Sequence, residues 1–411
     1  MTKYSAVTVP EPLAHSARYG CPAQPYEEHI RHVTLGAMQR ARSMLRHYAP
    51  SPHMQRPDRR ELLAILGDGA SFHDFGKLDD GFQETLRTNC YSPMHVRHED
   101  AGVALLTLYG AMEAAGLVSS HHQGLVCYRF EPPKSRSVRS RASSQPRRLS
   151  ATPFRIDHAL TQHATGIHLQ QYRDQHESLL GRRRPDIEDG QSRCTGFARR
   201  LLLSALVDSD HTDTARHYRQ HAEIDAPAGR WTERLTALTQ YVNGLPKPTD
   251  VDNEPAQLRQ QLRDELFFTC LGADTSERLR SCDAVVGSGK TTAVMAHLLK
   301  AAADRRLRHI FVVLPYTNII RQSVKTYREA LCLPGEDPEA VVAEHHHQAS
   351  FKDMALRGLT TLWRAPIIVT TAVQFFETLA ANQTGKLRKL HELPGSAVFL
   401  DEAHAAQPAP L

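Results

Sequence analysis

Apolar and polar positions follow one pattern in the first half of the chain and a different pattern in the second. From residue 26 to about 222, apolar side chains recur every three or four positions, which is the spacing of amphipathic helices. In the first such segment, Ile30, Val33, Ala37 and Ala41 fall on one face. The pattern predicts an all-α domain over residues 1–222, with helices in "YEEHIRHVTLGAMQRARSMLRHY", "HEDAGVALLTLYGAMEAAG" and "FARRLLLSALVDSD".

The pattern changes after a polar, proline-containing stretch at 244–257, which we interpret as a linker within a helical segment at 223–262. From 263 to 411, short apolar runs alternate with helical patterns. This alternation is typical of βαβ units around a parallel sheet. We therefore predict a multidomain chain whose α-helical half precedes an α/β domain, with strands at "CDAVV", "HIFVVL", "PIIVTT" and "AVFL".

Composition narrows the class of protein. The chain is 41% hydrophobic and 23% charged, as soluble proteins are, and its net charge of +5 permits contact with nucleic acid without requiring it. Its seven cysteines form no CxxC pair, which favours a reducing cytosol. No signal peptide is evident, and no apolar run reaches the roughly 18 residues of a membrane span. Residues 129–150, rich in serine, proline and arginine, are interpreted as a basic loop that is either simply solvated or in contact with phosphates.

Histidine and aspartate residues in the helical half form a candidate metal site. The chain contains 24 histidines, and imidazole is a common ligand of transition metals. His73 and Asp74 are adjacent in "SFHDFGKLDD", a pairing that two-metal phosphodiesterases use. We expect these two residues to hold metal together with a wider set from the same half, namely His29, His98, His121, His122 and Asp210.

Helical spacing favours Asp210 over Asp208 as the last ligand, because the positions one and two turns before Asp210 are all apolar. Asp208 stays open as the alternative. Mixed imidazole and carboxylate ligands favour Mn²⁺, Fe²⁺, Co²⁺ or Ni²⁺ over Mg²⁺ or Ca²⁺. Two such ions about 4 Å apart would clamp a phosphate and activate water. Lys77 is placed either to hold a phosphate oxygen or to lie on the surface. His15, His32, His95 and the run 345–347 are expected to be structural or solvated.

The α/β half carries a candidate nucleotide site. "DAVVGSGKTTAVMAHLL" places glycines between an apolar run and an amphipathic helix, as in a phosphate-binding loop. Downstream, "VFLDEAH" predicts a strand that ends in two carboxylates. Asp401 would hold Mg²⁺ and Glu402 would orient the attacking water. The loop residues that would bind ATP and Mg²⁺ are Gly287, Ser288, Gly289, Lys290, Thr291 and Thr292.

These motifs together resemble a known family. "HDFGK", "HEDAG", "HHQG" and "LVDSDHTDT" are similar to an HD-type nuclease, and "VVGSGKTT", "LPYTNIIRQ", "IVTTAVQFFETL" and "VFLDEAHA" are similar to the first half of a superfamily 2 helicase. In this order they resemble the CRISPR-associated helicase–nuclease of type I systems. Valine at 286 departs from the threonine usual in that family.

The resemblance implies an HD-type nuclease domain at 1–222 followed by a first RecA-like lobe at 263–411, which ends after the DEAH motif without a second lobe. It implies that His73, Asp74, Lys77 and Glu402 act in catalysis. It also implies contact of "LPYTNIIRQ" and Thr370–Thr371 with single-stranded DNA. The implied activity is cleavage of single-stranded DNA, as endonuclease or exonuclease, with ATP-driven 3′-to-5′ unwinding. The implied partners of a cytoplasmic monomer are single-stranded DNA and a guide-RNA surveillance complex of the Cascade type.

Two other functions stay open at this point. One is an HD-type nucleotide phosphohydrolase with an accessory nucleotide-binding module. The other is an inactive remnant that binds DNA without turnover. The segments similar to the DNA-contact segments of helicases favour the nuclease–helicase over the phosphohydrolase, and the full set of candidate ligands argues against a remnant. Without a second lobe, whether as a fragment or a natural truncation, we expect negligible ATP turnover.

Overall fold

The structure is a computed structural model that describes residues 10–49, 57–90, 97–125, 168–182, 184–186, 194, 196–220, 225–248, 254–346 and 354–402. The chain divides into two compact units. The first comprises residues 1–221 and 381–391, and the second comprises 222–380 and 392–411. The basic loop predicted at 129–150 lies outside the described residues, as do His95 and His347.

The first unit is mainly helical. Its helices are α1 (Tyr26–Leu45), α2 (Arg59–Phe72), α3 (Asp80–Thr88), α4 (His98–Leu108), α5 (Met112–Ser120), α6 (Leu169–Leu180) and α7 (Gly196–His217), with a 3₁₀ turn at Phe75–Leu78. The prediction of an all-α first domain needs one correction. Leu13–His15 (β1) and Gln24–Pro25 (β2) pair as antiparallel strands, and both are too short to produce a recognisable alternation.

Local sequence signals explain where these helices begin. Asp58 accepts a hydrogen bond from the Glu61 amide while the Glu61 side chain accepts one from the Asp58 amide, so a capping box starts α2. The Asp79 side chain caps α3 by accepting hydrogen bonds from the amides of Gly81 and Phe82. Asp79 directly follows the segment 73–78, which connects α2 to α3. The cap at Asp79 therefore fixes the C-terminal end of this segment.

A segment that comes late in the sequence completes the first unit. Residues 381–391 contain a one-turn helix, α15 (Thr384–Leu387), and they pack with α7. The Leu125 amide donates to the carbonyl of Asn382 at 2.8 Å, and the His391 amide donates to the Ser204 hydroxyl at 3.0 Å. The first unit is therefore discontinuous along the chain.

The second unit is built around a parallel sheet of four strands in the order β4-β5-β3-β6. The strands are β3 (His309–Leu314), β4 (Val342–His345), β5 (Ile367–Thr371) and β6 (Ser396–Leu400). The helices are α8 (Trp231–Asn243), α9 (Glu254–Gly272), α10 (Lys290–Arg305), α11 (Thr317–Leu331), α12 (Pro338–Val341), α13 (Met354–Thr361) and α14 (Ala372–Ala380). This helix-rich unit with a parallel sheet is consistent with a RecA-like helicase lobe.

Three of the four predicted strands are present, as β3, β5 and β6. The prediction of a strand at "CDAVV" was wrong, because residues 282–286 have no strand partner in the described sheet. The run is only three apolar residues long after Asp283, and Val285 and Val286 are 65% and 99% exposed. So short and exposed a run buries too little apolar surface to stabilise a strand. No helix in the described residues is long and apolar enough to cross a membrane.

Candidate metal centre and phosphate loop

The predicted ligands of the first unit come together from five helices and their ends. His29 lies in the first third of α1, and His73 and Asp74 follow directly after α2. His98 is the first residue of α4, and His121 and His122 follow the end of α5. Asp210 lies in α7. Their side-chain atoms form two groups that could each hold a metal ion, and both groups contain Asp74: one is His29, His73 and Asp74, and the other is Asp74, His98, His121 and His122.

Three buried imidazole nitrogens in this cluster make no hydrogen bond. They are the Nε2 atoms of His29, His73 and His121. In His73 and His121 the other ring nitrogen, Nδ1, lies 2.8 Å and 2.6 Å from the carbonyls of Ala70 and Val118. Those carbonyls can only accept, so Nδ1 carries the proton and Nε2 presents a lone pair. Buried polar atoms are rarely left without a partner, so the donor set fits transition-metal ions.

Asp74 lies at the centre of the cluster. Its Oδ2 is 3.2 Å from Nε2 of His29 and 3.4 Å from Nε2 of His73, and its Oδ1 is 3.6 Å from Nε2 of His98. The Oδ1 atom of Asp210 lies 3.5 Å from Nε2 of His29 and 3.9 Å from Nε2 of His73. Asp74 thus has one oxygen toward each ligand group. Asp74 could therefore offer one oxygen to an ion in each group.

Burial and charge set the protonation of these groups. Burial lowers the pKa values of His98, His121 and His122 to about 4, so their rings are neutral at pH 7. Burial would raise the pKa of Asp74, but Lys77 and His73 hold it well below its usual range. The pKa of Asp210 is lowered as well, because His73 and His29 outweigh its burial. Neutral imidazoles and ionised carboxylates are the forms that bind metal.

His29 is oriented by Asp213, which the sequence analysis did not single out. Oδ2 of Asp213 lies 2.7 Å from Nδ1 of His29 and accepts from the Gln24 amide at 2.8 Å. Its Oδ1 lies 2.9 Å from Nδ1 of His32. Burial opposes protonation of His29, but Asp213 and Asp74 raise its pKa to about 9, so this ring must lose its Nε2 proton before it can hold a metal ion. A carboxylate that holds the far nitrogen of a ligand histidine is a common support of metal sites.

Asp208, the alternative ligand, faces a different set of partners. Its Oδ2 accepts from Nε of Arg40 at 2.8 Å, and its Oδ1 accepts from Nε and Nη2 of Arg388 at 3.1 Å and 3.0 Å. Asp208 is fully buried. Two guanidinium groups leave it no role as a ligand. Of the two aspartates, the structure brings Asp210 to the histidine cluster.

Glycine permits the close approach that brings His98 to Asp74. A Cβ atom added to Gly76 would lie 2.7 Å from the Cα and the carbonyl oxygen of His98. One added to Gly102 in α4 would lie 2.2 Å from the carbonyl oxygen of Phe72. Both distances are shorter than real Cβ contacts. The start of α4 can therefore lie against the segment that carries His73 and Asp74 only because these two positions have no side chain.

Lys77 and His15 also lie at the cluster. The Nζ atom of Lys77 is 2.6 Å from Oδ2 of Asp74 and is buried, so the alternative of a surface lysine does not hold. The ring of His15, in β1, lies edge-on to His29 with 4.8 Å between centroids. Burial, Lys77 and His29 lower the pKa of His15 to about 2. His15 was expected to be structural, and nothing in the residues around it in sequence indicated this location.

The predicted phosphate loop has the backbone of an anion site. Gly287 and Gly289 have φ angles of 83° and 79°, and Gly289 is the N-cap of α10. Only glycine adopts such angles without strain, and they turn successive amides toward one side of the loop. Ser288 donates through its hydroxyl to the carbonyl of Val285 at 2.8 Å. Lys290 and Thr291 begin α10, so their side chains stand at the positive end of the helix dipole.

Tyr327 connects this loop to the predicted Walker B carboxylates. Its hydroxyl donates to the carbonyl of Thr291 at 3.3 Å, and burial together with the charge of Asp401 raises its pKa. The Asp401 amide donates to Val313 at 3.0 Å, which continues the β6–β3 ladder. Glu402 follows with a φ of 49°. Tyr327 is therefore hydrogen-bonded to the backbone at the start of α10, and its hydroxyl responds to the charge of Asp401.

The segments expected to contact DNA differ in exposure. Tyr316, just before α11, is 63% exposed. Thr370 is fully buried, and its hydroxyl donates to the carbonyl of His345 at 2.9 Å. The Thr371 hydroxyl is also buried and accepts from the Gln374 amide at 3.2 Å. These threonine side chains organise β5 and the start of α14, so their hydroxyls are already engaged within the protein.

Residues 269–408 match the family model described as DEAD/DEAH box helicase. The matched residues include the predicted phosphate loop and all four strands of the parallel sheet in the second unit. No curated protein matches the chain. Among solved structures, the ATP complex of Cas3 from T. fusca aligns with a TM-score of 0.57 and 16% identity over 97% of this chain and 47% of that chain. The AMPPNP complex gives a TM-score of 0.54 with 18% identity over 96% of this chain and 47% of that chain.

The resemblance inferred from the sequence is confirmed at the level of fold. The chain has a Cas3-like architecture across both units, and it spans about half the length of the solved structures that it matches.

Proposed function

We propose that the first unit is an HD-type nuclease that cuts single-stranded DNA with two divalent transition-metal ions. The observation that carries the proposal is the convergence of three buried, unbonded imidazole nitrogens around Asp74. The ligands would be His29, His73, Asp74, His98, His121, His122 and Asp210. When bound, Mn²⁺, Co²⁺, Ni²⁺ or Fe²⁺ ions would supply Lewis acidity toward a phosphodiester.

The chain's own residues would position the phosphodiester and balance its charge. Asp74 and Asp210 are both buried, and their negative charges need Lys77 or bound cations to compensate them. Lys77, whose Nζ atom lies 2.6 Å from Oδ2 of Asp74, would balance part of this charge and would offer its ammonium to a non-bridging oxygen of the substrate phosphate. His73 and His121 are held by backbone carbonyls and need no rearrangement.

We further propose that the helicase domain binds ATP and Mg²⁺ and drives 3′-to-5′ unwinding in the whole protein. Gly287, Gly289 and Lys290 would hold the phosphates, with Ser288, Thr291 and Thr292 in the same loop. Asp401 would hold Mg²⁺ and Glu402 would orient water. The Cas3-like fold supports a role in CRISPR defence, with a surveillance complex of the Cascade type as partner and the cytoplasm as location.

The test separates the two sites. The chain, loaded with Mn²⁺, Co²⁺ or Ni²⁺, is incubated with circular single-stranded DNA without ATP. The wild type and Lys290→Ala are expected to cut at similar rates, while Asp74→Ala is expected to lose at least about 100-fold, because it removes the residue common to both candidate ligand groups. Equal loss in both variants would contradict an independent nuclease.

The same samples distinguish the alternatives. Metal-loaded protein that leaves circular DNA intact but releases phosphate from a nucleotide is a phosphohydrolase. Protein that binds DNA in the presence of any of the three metals but cuts neither substrate is an inactive remnant. Both outcomes would contradict the proposed nuclease.

A further inference from the structure

A row of aromatic rings leads from the surface of the first unit to the histidine–aspartate cluster around Asp74. Tyr19 and Tyr218 are edge to face with 5.6 Å between centroids, and Tyr218 contacts His15 at 6.0 Å. His217 lies next to both, at 4.9 Å from Tyr218 and 6.5 Å from His15. His15 contacts the candidate ligand His29 at 4.8 Å. Ring contacts are therefore continuous from an exposed tyrosine to a metal ligand.

Tyr19 is exposed in a backbone conformation that disfavours it. The Cys21 amide donates to the carbonyl of Arg18 at 2.8 Å and closes a tight turn. The two central residues, Tyr19 and Gly20, have φ angles of 53° and 75°. Asparagine or glycine suits the first of these positions, and a bulky side chain is strained there. Yet Tyr19 is 73% exposed, so core packing does not account for it. Strain retained without a packing reason indicates a function.

The interior end of the row is held in place by hydrogen bonds. The Tyr218 hydroxyl donates to the carbonyl of Ser16 at 2.7 Å, which joins the end of α7 to the strand β1. The ring of His15 lies within hydrogen-bond distance of Thr214, with 3.2 Å between Nε2 and Oγ1. The rings of His15 and Tyr218, which are nearest the cluster around Asp74, are thus held by hydrogen bonds, while the ring of Tyr19 is exposed to solvent.

Basic side chains flank the exposed end. Arg18 precedes Tyr19 and Arg219 follows Tyr218, and both are exposed. Proteins bind single strands by combining such cations, which contact phosphates, with aromatic rings, on which bases stack. We propose that Tyr19 and Tyr218 form a base-stacking subsite that guides single-stranded DNA toward the cluster at Asp74. The inference rests on the proposed nuclease function and names where its substrate approaches.

Binding measurements separate stacking from folding. A fluorescein-labelled hexanucleotide and an abasic strand of the same length are titrated with the 411-residue chain in EDTA, which prevents cleavage, and anisotropy reports Kd. Tyr19→Asn relieves the backbone strain, so its melting temperature is expected to equal or exceed that of the wild type. Its Kd for the hexanucleotide is nevertheless expected to rise about 10-fold, with the abasic strand unchanged. Tyr19→Phe keeps the ring and is expected to bind like the wild type.

A cross-link locates the base directly, whatever else on the chain binds DNA. A hexanucleotide with 5-iodouracil is irradiated on the wild-type protein, and the modified peptide is expected to contain Tyr19 or Tyr218. Leu108→Ala, which removes another exposed apolar side chain of the first unit, serves as the control and should change nothing. Unchanged Kd in Tyr19→Asn, equal loss for the abasic strand, or cross-links confined to other peptides would overturn the subsite.

Cleavage gives a separate result. With Mn²⁺ present, Tyr19→Asn is expected to raise KM about 10-fold while kcat stays within about twofold, because only ground-state binding is lost. A wild type that binds and cross-links but does not cut would contradict the nuclease and leave the subsite supported. If the wild type cuts DNA and Tyr19→Asn has the same KM as the wild type, the result would contradict the stacking subsite and leave the nuclease supported.

Discussion

The carboxylate of Asp213 lies 2.7 Å from Nδ1 of His29, on the side of the ring that faces away from Asp74. Asp213 follows Asp210 by one turn of α7, so a single helix supplies a candidate ligand and the support of another. Nδ1 of His29 therefore carries a proton and donates it in a hydrogen bond to Asp213, while Nε2 points into the cluster.

Replacing Asp213 should weaken metal binding without removing a ligand. Asp213→Ala is expected to reduce Mn²⁺ or Co²⁺ affinity by about 10- to 100-fold, because the His29 ring loses its fixed tautomer and orientation. Isothermal titration calorimetry gives the affinity and the number of ions. The control is Glu28→Gln, which alters a carboxylate 4.0 Å from His32 that does not touch His29. Equal affinity in Asp213→Ala and the wild type would show that Asp213 only supports folding.

The buried Asp208 should make Arg388 important for stability. Arg388→Met is expected to cost about 3 kcal/mol, because a fully buried carboxylate loses the guanidinium that donates to its Oδ1 atom. Hydrogen exchange of the α7 amides measures the change locally. Lys325→Gln, which breaks an exposed pair with Glu329, is expected to cost less than about 0.5 kcal/mol. Similar protection of α7 in both variants would be the contradicting result.

His176 should make the first unit sensitive to mild acid. Its ring is stacked on Phe72 with 4.7 Å between centroids, and its Nδ1 lies 3.1 Å from the Tyr26 hydroxyl. Burial and Arg182 lower its pKa to about 3, whereas the unfolded chain titrates near 6.5. Below pH 6.5, His176 is protonated in the unfolded state but stays neutral in the folded state. The free energy of unfolding therefore falls as the pH falls.

Between pH 7 and pH 5 this residue alone is expected to remove about 2 kcal/mol of the free energy of unfolding. His176→Phe, which cannot titrate, should lose correspondingly less over the same interval in urea titrations. An identical pH slope in the wild type and in His176→Phe would refute the assignment.

Gly102→Ala should disturb the cluster from a distance. The new methyl group would meet the carbonyl oxygen of Phe72, so α4 must move away from the turn that carries His73. We expect a loss of about 1 to 3 kcal/mol and weaker metal binding, because His98 begins the same helix. Thermal melting and calorimetry test both effects. Gly196→Ala, where nothing lies within 4 Å of the new atom, should leave both unchanged. Tight metal binding by Gly102→Ala would show that α4 can adapt.

Much of the cluster was readable from the sequence because the ligand types are distinctive. His73 and Asp74 are adjacent, and helical spacing favoured Asp210 over Asp208 on the apolar pattern alone; the structure brings Asp210 to the histidines. The role of Asp213 depends on a partner far away in sequence, although its position one turn after Asp210 was a usable signal. The contact of His15 depends on a hairpin too short to leave a pattern.

The α/β half shows the complementary limit. β3 and β5 are fully buried runs of apolar residues and were predictable. The run before the phosphate loop has similar residue types, yet it is exposed and unpaired among the described strands. Residue type alone does not determine whether a short run finds a partner. Nothing in the composition of 381–391 indicated that it belongs with the first unit.

That late segment has a consequence for synthesis of the protein on the ribosome. Chains are made from the N-terminus, and domains usually fold as soon as their last residue emerges. The first unit cannot reach its final state when residue 221 emerges, since Arg388 and His391 are not yet made. Most of the second unit must be translated before the Asp208 carboxylate acquires its second arginine. Completion of the first unit therefore waits until the segment preceding β6 has been made.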